Sequence, residues 1–265
     1  MQKQFTQRIA QLDPRHDYHE ITQLLSRHVF PWDIERALEF ALFRTYAVPS
    51  ISGLLAETGE FVRRTRKRYD DTELILYEVL EHGFESDQGR RAIRRMNQMH
   101  GRFQISNHDL LYVLTTFIFE PIRWVERFGW RPMTANEKQA FFRYYCELGR
   151  LMGIQNIPTN YAEFEQFNLA YEREQFKFAA SNRAIGDATV NLLLGMYAPK
   201  LLWPLLRPAA YALMDEPLLD AFGYPHPPQW LRQQVSTLLR LRARLLARKR
   251  SRVLTCWRSH CGGWG

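Results

Sequence analysis

Cysteine is scarce: three in 265 residues, Cys146, Cys256 and Cys261. A chain of this length buries roughly three quarters of its unfolded surface, so it needs no disulfide to be stable. The scarcity excludes a disulfide framework and fits a reducing, cytoplasmic setting. The polar start, MQKQFTQRIAQLDPRHD, reads as no secretory signal. Cys256 and Cys261 flank His260 in a Gly-rich end, a spacing that fits no standard zinc site. Strand alternation is missing throughout, which predicts an all-α fold. A long uninterrupted apolar run is missing too. The most apolar stretch, Val190 to Met214, contains Lys200, Arg207 and three prolines, whereas a spanning helix needs about 20 apolar residues in a row. It reads as buried helices broken by proline, or as a half-inserted surface that contacts a membrane. Acidic residues are absent after Asp220.

The formal charge is +8, and much of that excess lies between Leu231 and Arg252. A basic helix of this kind is a solvated face or a contact with an anionic membrane surface. The run Arg63 to Arg68 (RRTRKR) is basic as well. No nucleic-acid fold signature accompanies it, so nucleic acid is not an expected partner. Helical periodicity places helices over Glu20–Val29, Ala37–Tyr46 capped by Asp33, and a segment through Leu54 capped by Ser50. One long helix follows from Gly59 to Glu81, with a break near Asp70. Ser86 to Met99 leads into His100, and Asn107 caps the next helix. That helix is apolar nearly all round and is therefore central, with Pro121 inside it. Thr134 and Glu137 form a capping box for a helix ending at Gly153. Tyr161 to Phe178 is aromatic and charged.

His100 is the chemically suggestive residue. Ile93, Met96 and Phe103 surround it at helical spacing, and Arg94, Arg95 and Arg102 flank it. An apolar wall, an imidazole and nearby guanidinium groups are what a haem pocket requires: a ligand for iron, a surface for the macrocycle and partners for the propionates. A buried, hydrogen-bonded core histidine is the plainer reading of the same pattern. His108 follows a helix start and His82 ends a helix, so both read as capping neighbours. A di-iron carboxylate site wants Glu-x-x-His on two helices, and that spacing does not occur. No nucleophile elbow or Cys/His pair marks a hydrolase.

A wider set of segments occurs in order. These are FPWD (Phe30–Asp33), Ala37–Phe61, KRYDDT (Lys67–Thr72) and MNQMHGRFQISN (Met96–Asn107). Leu111–Trp124, FGWRP (Phe128–Pro132), LGRLMGIQNIP (Leu148–Pro158), YERE (Tyr171–Glu174) and AFGYPHPP complete it. Together they resemble the family of haem-dependent oxygenases that includes MpaB and the rubber oxygenase called latex clearing protein. The resemblance implies a single multi-helix domain over residues 1–250, with a globin-like core in the rubber oxygenase branch. Residues 251–265 depart from it and read as an irregular tail. It also implies haem b, with His100 as the proximal iron ligand and Arg95 and Arg102 as propionate partners. Arg68 and Thr72 match an arginine and threonine four residues apart near the haem, and four residues apart on a helix is one face. A lysine of that branch is replaced here by Asp71. Its assisting glutamate has no aligned counterpart, although Glu57 and Glu60 are nearby. The implied activity is cleavage of a carbon–carbon double bond in a lipophilic, isoprenoid-type substrate with dioxygen. The alternative is a non-catalytic haem-binding or membrane-associated helical protein.

Overall fold

The computed structural model describes residues 2–59 and 63–260. The described residues form thirteen α-helices and no strand, as the missing alternation predicts. In chain order they are α1 (Gln2–Gln11), α2 (Tyr18–Leu24), α3 (Pro31–Tyr46), α4 (Pro49–Thr58), α5 (Thr65–His82), α6 (Asp87–His100) and α7 (Asn107–Phe128). There follow α8 (Ala135–Leu151), α9 (Tyr161–Gln175), α10 (Ala180–Tyr197), α11 (Trp203–Tyr211), α12 (Glu216–Phe222) and α13 (Gln229–His260). A π-helical turn, Leu25–Val29, continues α2, and a 3-10 turn, Lys200–Leu202, precedes α11.

Helix α7 is the axis. Tyr112, Ile118, Phe119 and Val125 are fully buried along it. Each large apolar side chain so buried contributes about 1.5–3 kcal/mol of transfer free energy. The helix α3 packs on it more extensively than any other pair does. Pro121 is accommodated within α7, which runs on to Phe128. One core joins α1, α2 and α5 to α9. A second gathers the end of α3 with α10, α11 and α12.

Several local signals act as expected. Ser86 caps α6 by accepting from the Gly89 amide. Thr134 and Glu137 form the reciprocal capping box of α8. Gly83 and Gly153 adopt φ of 80° and 79° where α5 and α8 stop, a conformation that favours glycine. Three expected caps are corrected. Asp33 lies inside α3, which starts at Pro31 because proline needs no amide partner in a first turn. Its carboxylate is buried and accepts from Arg242 of α13 at 2.9 Å. Ser50 likewise follows Pro49 inside α4, and its hydroxyl donates to Asp109 at 3.1 Å. Ser106, not Asn107, caps α7, while Asn107 pairs with the Gln155 backbone.

Two larger expectations also change. The helix drawn from Gly59 with a break near Asp70 is in fact α5, which begins at Thr65 and runs unbroken through Asp70. Gly59, at φ 63°, closes α4 instead. The stretch Val190–Met214 is not simply buried. Leu201 is 89% exposed and Leu205 74%, with Tyr197 and Leu202 beside them also exposed. Proline spacing explains this. Pro199, Pro204 and Pro208 break the chain into short pieces that cannot turn every apolar side chain inward. The final helix continues to His260, into the stretch read as an irregular tail. Cys261 lies outside the described residues, as do the side chains of Cys256 and His260. Among the described residues no group of three metal-ligating side chains occurs, and no helix is long and apolar enough to cross a membrane.

Candidate active site

Helix α6 has one apolar face, on which Ala92, Ile93 and Met96 are buried. His100 is its last residue, and Gly101 closes it. The imidazole points away from that core into a chamber of about 830 Å³. The volume lies within the roughly 300–1,000 Å³ range of small-molecule and cofactor sites. Apolar side chains form most of the wall: Leu54 and Leu55 of α4, Ile75 of α5, Val113 and Phe117 of α7, and Leu148 of α8. Met96, Met99 and Phe103 surround the histidine. Helix α10 closes one side with Thr189 and Leu192.

Arg68 and Thr72 share the chamber with His100. Both project from one face of α5. The Arg68 guanidinium donates to the Thr72 hydroxyl at 2.8 Å, and that hydroxyl donates to the Arg68 carbonyl at 3.1 Å. His100 makes no side-chain hydrogen bond among the described residues. Burial lowers its pKa first, and the charge of Arg68 lowers it further. The ring is therefore neutral near neutral pH, with a lone pair available. A neutral imidazole is the form that ligates metals.

Arg102 lines the chamber at its exposed rim. Arg95 does not reach it. That side chain is exposed on the outer face of α6 and acts electrostatically on Asp71. Asp71 also lines the chamber and accepts from Lys67 at 2.6 Å. Glu57 lines the opposite edge.

Sequence reasoning missed the polar corner of the chamber. Asp109 is buried there and accepts from the hydroxyls of Ser50 and Tyr171. Tyr46 is buried beside it, its phenol pKa raised by burial. Asp109 reads in sequence as an ordinary first-turn acid, and its partners lie 59 and 62 residues away. Nothing local marks them.

Fold and site define an all-α domain built around an apolar chamber with a neutral histidine in its wall. The chain belongs to the family described as ER-bound oxygenase mpaB/B'/rubber oxygenase, catalytic domain, whose model matches residues 36–248. It is 32% identical over 221 residues to a Penicillium brevicompactum protein named ER-bound oxygenase mpaB', covering 76% of this chain and 52% of that protein. It is 31% identical over 214 residues to ER-bound oxygenase mpaB of Penicillium roqueforti, covering 74% and 71%. A third, ER-bound oxygenase mpaB of Penicillium brevicompactum, is 31% identical over 67% of this chain and 50% of its own length. The chain thus spans about half the length of two of these curated relatives.

Proposed function

We propose that this chain is a haem b-dependent oxygenase domain that cleaves a carbon–carbon double bond of a lipophilic, isoprenoid-type substrate with dioxygen. One observation carries the reading. An imidazole with a lowered pKa and no hydrogen bond among the described residues, a guanidinium–hydroxyl pair and an apolar wall converge on one chamber. That donor set suits haem: His100 would ligate iron, and Met96, Met99 and Phe103 would face the macrocycle. Arg102, which lines the chamber, would pair with a propionate, and Arg95, which does not line it, would not. Bound there, haem would supply the redox centre that activates dioxygen.

The chain's own residues do the rest. The apolar wall excludes water and holds the alkene by burial rather than by directed bonds. Arg68 and Thr72 offer hydrogen-bond donors to whatever negative charge develops near the oxygen atoms. In the overall change the C=C and O–O bonds break and two C=O bonds form. Each alkene carbon is oxidised, both oxygen atoms are reduced, and no external reductant is consumed.

The first test is an absorption spectrum of protein expressed with a haem supply, beside His100→Ala. A Soret band that is lost or shifted in the variant supports ligation by His100. Folded wild-type protein without haem overturns the mechanism. Oxygen-dependent loss of an isoprenoid alkene, with carbonyl products, separates an enzyme from a haem-binding protein that is not catalytic.

The exposed ridge of Tyr197, Leu201 and Leu205 favours contact with a membrane surface, from which a lipophilic substrate would enter. Co-sedimentation with anionic vesicles should fall for Leu201→Glu/Leu205→Glu. Equal binding by wild type and variant rules out this ridge.

A further inference from the structure

A second cleft lies against the chamber. It holds about 880 Å³ between the start of α5 and the outer face of α10. Arg63, Arg64, Arg66 and Lys67 line it on one side, with Asp70 and Asp71. Among the described residues that line it, four cations face two carboxylates, a net positive lining. Arg66 is bonded to Asp70 at 2.8 Å and Lys67 to Asp71 at 2.6 Å. Opposite, Ala184 and Ala188 present only methyl groups, which leaves the space open.

The two spaces are continuous. Arg64, Lys67, Asp71 and Leu192 belong to the walls of both. Going inward along α5, basic side chains give way within about two turns to Thr72, Ile75 and Leu76. The boundary is thus charged on one side and apolar on the other. A wholly apolar ligand would use only the inner side. A ligand that matches both sides has an apolar chain and an anionic end.

We propose that the substrate is an amphiphile, with its apolar chain in the chamber and a phosphate or carboxylate head in the basic cleft. This rests on the reading above that the chamber takes a lipophilic chain. Guanidinium and ammonium groups bind such heads through charge-assisted hydrogen bonds. The cleft is open to water, so the contribution is salt-sensitive. The head also fixes direction: it holds one end of the chain at the mouth and so decides which double bond lies deepest in the chamber.

The test is equilibrium dialysis of haem-loaded protein against geranyl phosphate, geranic acid and geraniol. These share a chain and differ in the head. Geranyl phosphate, geranic acid or both should bind about tenfold tighter than geraniol. That advantage should collapse in Arg63→Gln/Arg66→Gln, whose side chains line the cleft and not the chamber, and at about 0.5 M salt, while geraniol binding stays the same. The phosphate and carboxylate arms tell which head is preferred. Equal binding of all three ligands overturns the inference and leaves the chamber as a lipophilic site. A preference that survives both the double variant and high salt also overturns it. Protein that carries no Soret band fails the proposed function instead, a result read before any ligand is added. The salt series on wild-type protein keeps the test decisive if the double variant does not fold.

Discussion

Glu39 shows what burial does to a single carboxylate. It is only 4% exposed, and Tyr197 donates to it at 3.0 Å. Tyr69, from the chamber wall, reaches it at 3.5 Å. Arg36 Nε lies 3.0 Å away but is not aligned for a hydrogen bond. Burial outweighs these partners and lifts the Glu39 pKa to about 7. The folded chain thus holds this proton more tightly than the unfolded chain, whose glutamate titrates near about 4.3. The associated stability is present below that value and is lost as pH rises through about 7. Urea midpoints from acid to neutral pH should fall in wild type and fall less in Glu39→Gln. Identical slopes would remove Glu39 as the cause. At the chamber, Thr72→Val should slow alkene turnover and leave any Soret band in place, because it removes a donor and not the iron ligand. His100 stood out in the sequence by its apolar neighbours and Arg68 and Thr72 only through the family resemblance, and the structure brings all three to one chamber. Arg95 does not reach the chamber, since five residues at about 100° each set it roughly 140° around the helix from His100.

Helices announce their ends when the cap is local. Thr134 and Glu137 are three residues apart, so their box is visible in sequence. Glu137 is also buried against Arg131, which bonds both its oxygens. Thr134→Ala should therefore cost about 1 kcal/mol, read as a lowered urea midpoint. Glu137→Ala should cost more, about 3 kcal/mol, because it strands the Arg131 guanidinium as well. A smaller loss for Glu137 than for Thr134 would contradict the part played by that pair. Asp33, Ser50 and Asn107 misled because each is a competent cap by type. Pro31 and Pro49 start their helices earlier, and Ser106 precedes Asn107 with a hydroxyl at the right place. Gly149 of α8 marks a close crossing with α7 that no local pattern shows. A Cβ there would lie 2.4 Å from Leu114 Cδ2. Gly149→Ala should push Leu114 towards the chamber and lower stability by about 1–3 kcal/mol, with weaker ligand binding as a second readout.

Over the whole molecule, the all-α class followed from periodicity, while the ties between distant segments did not. Arg44 of α3 is the main example. It bonds Glu172 of α9 through two nitrogens and Asp215 at the start of α12 at 2.7 Å, and lies 3.5 Å from Glu120 of α7. Its partners are as much as 171 residues away, and each residue alone reads as surface charge. Arg44→Met should destabilise the fold by about 3–5 kcal/mol, since it leaves buried carboxylates without their cation. A change below about 1 kcal/mol in urea would show that the carboxylates take up protons instead. The chamber has a consequence of the same reach. Its walls come from α3 to α8 and α10, so its 830 Å³ exist only while those seven helices stay assembled. Whatever part of that space water does not fill disappears on unfolding, and the system shrinks. Hydrostatic pressure should therefore unfold the empty protein readily, and a chain that fills the chamber should make it harder to compress and to unfold.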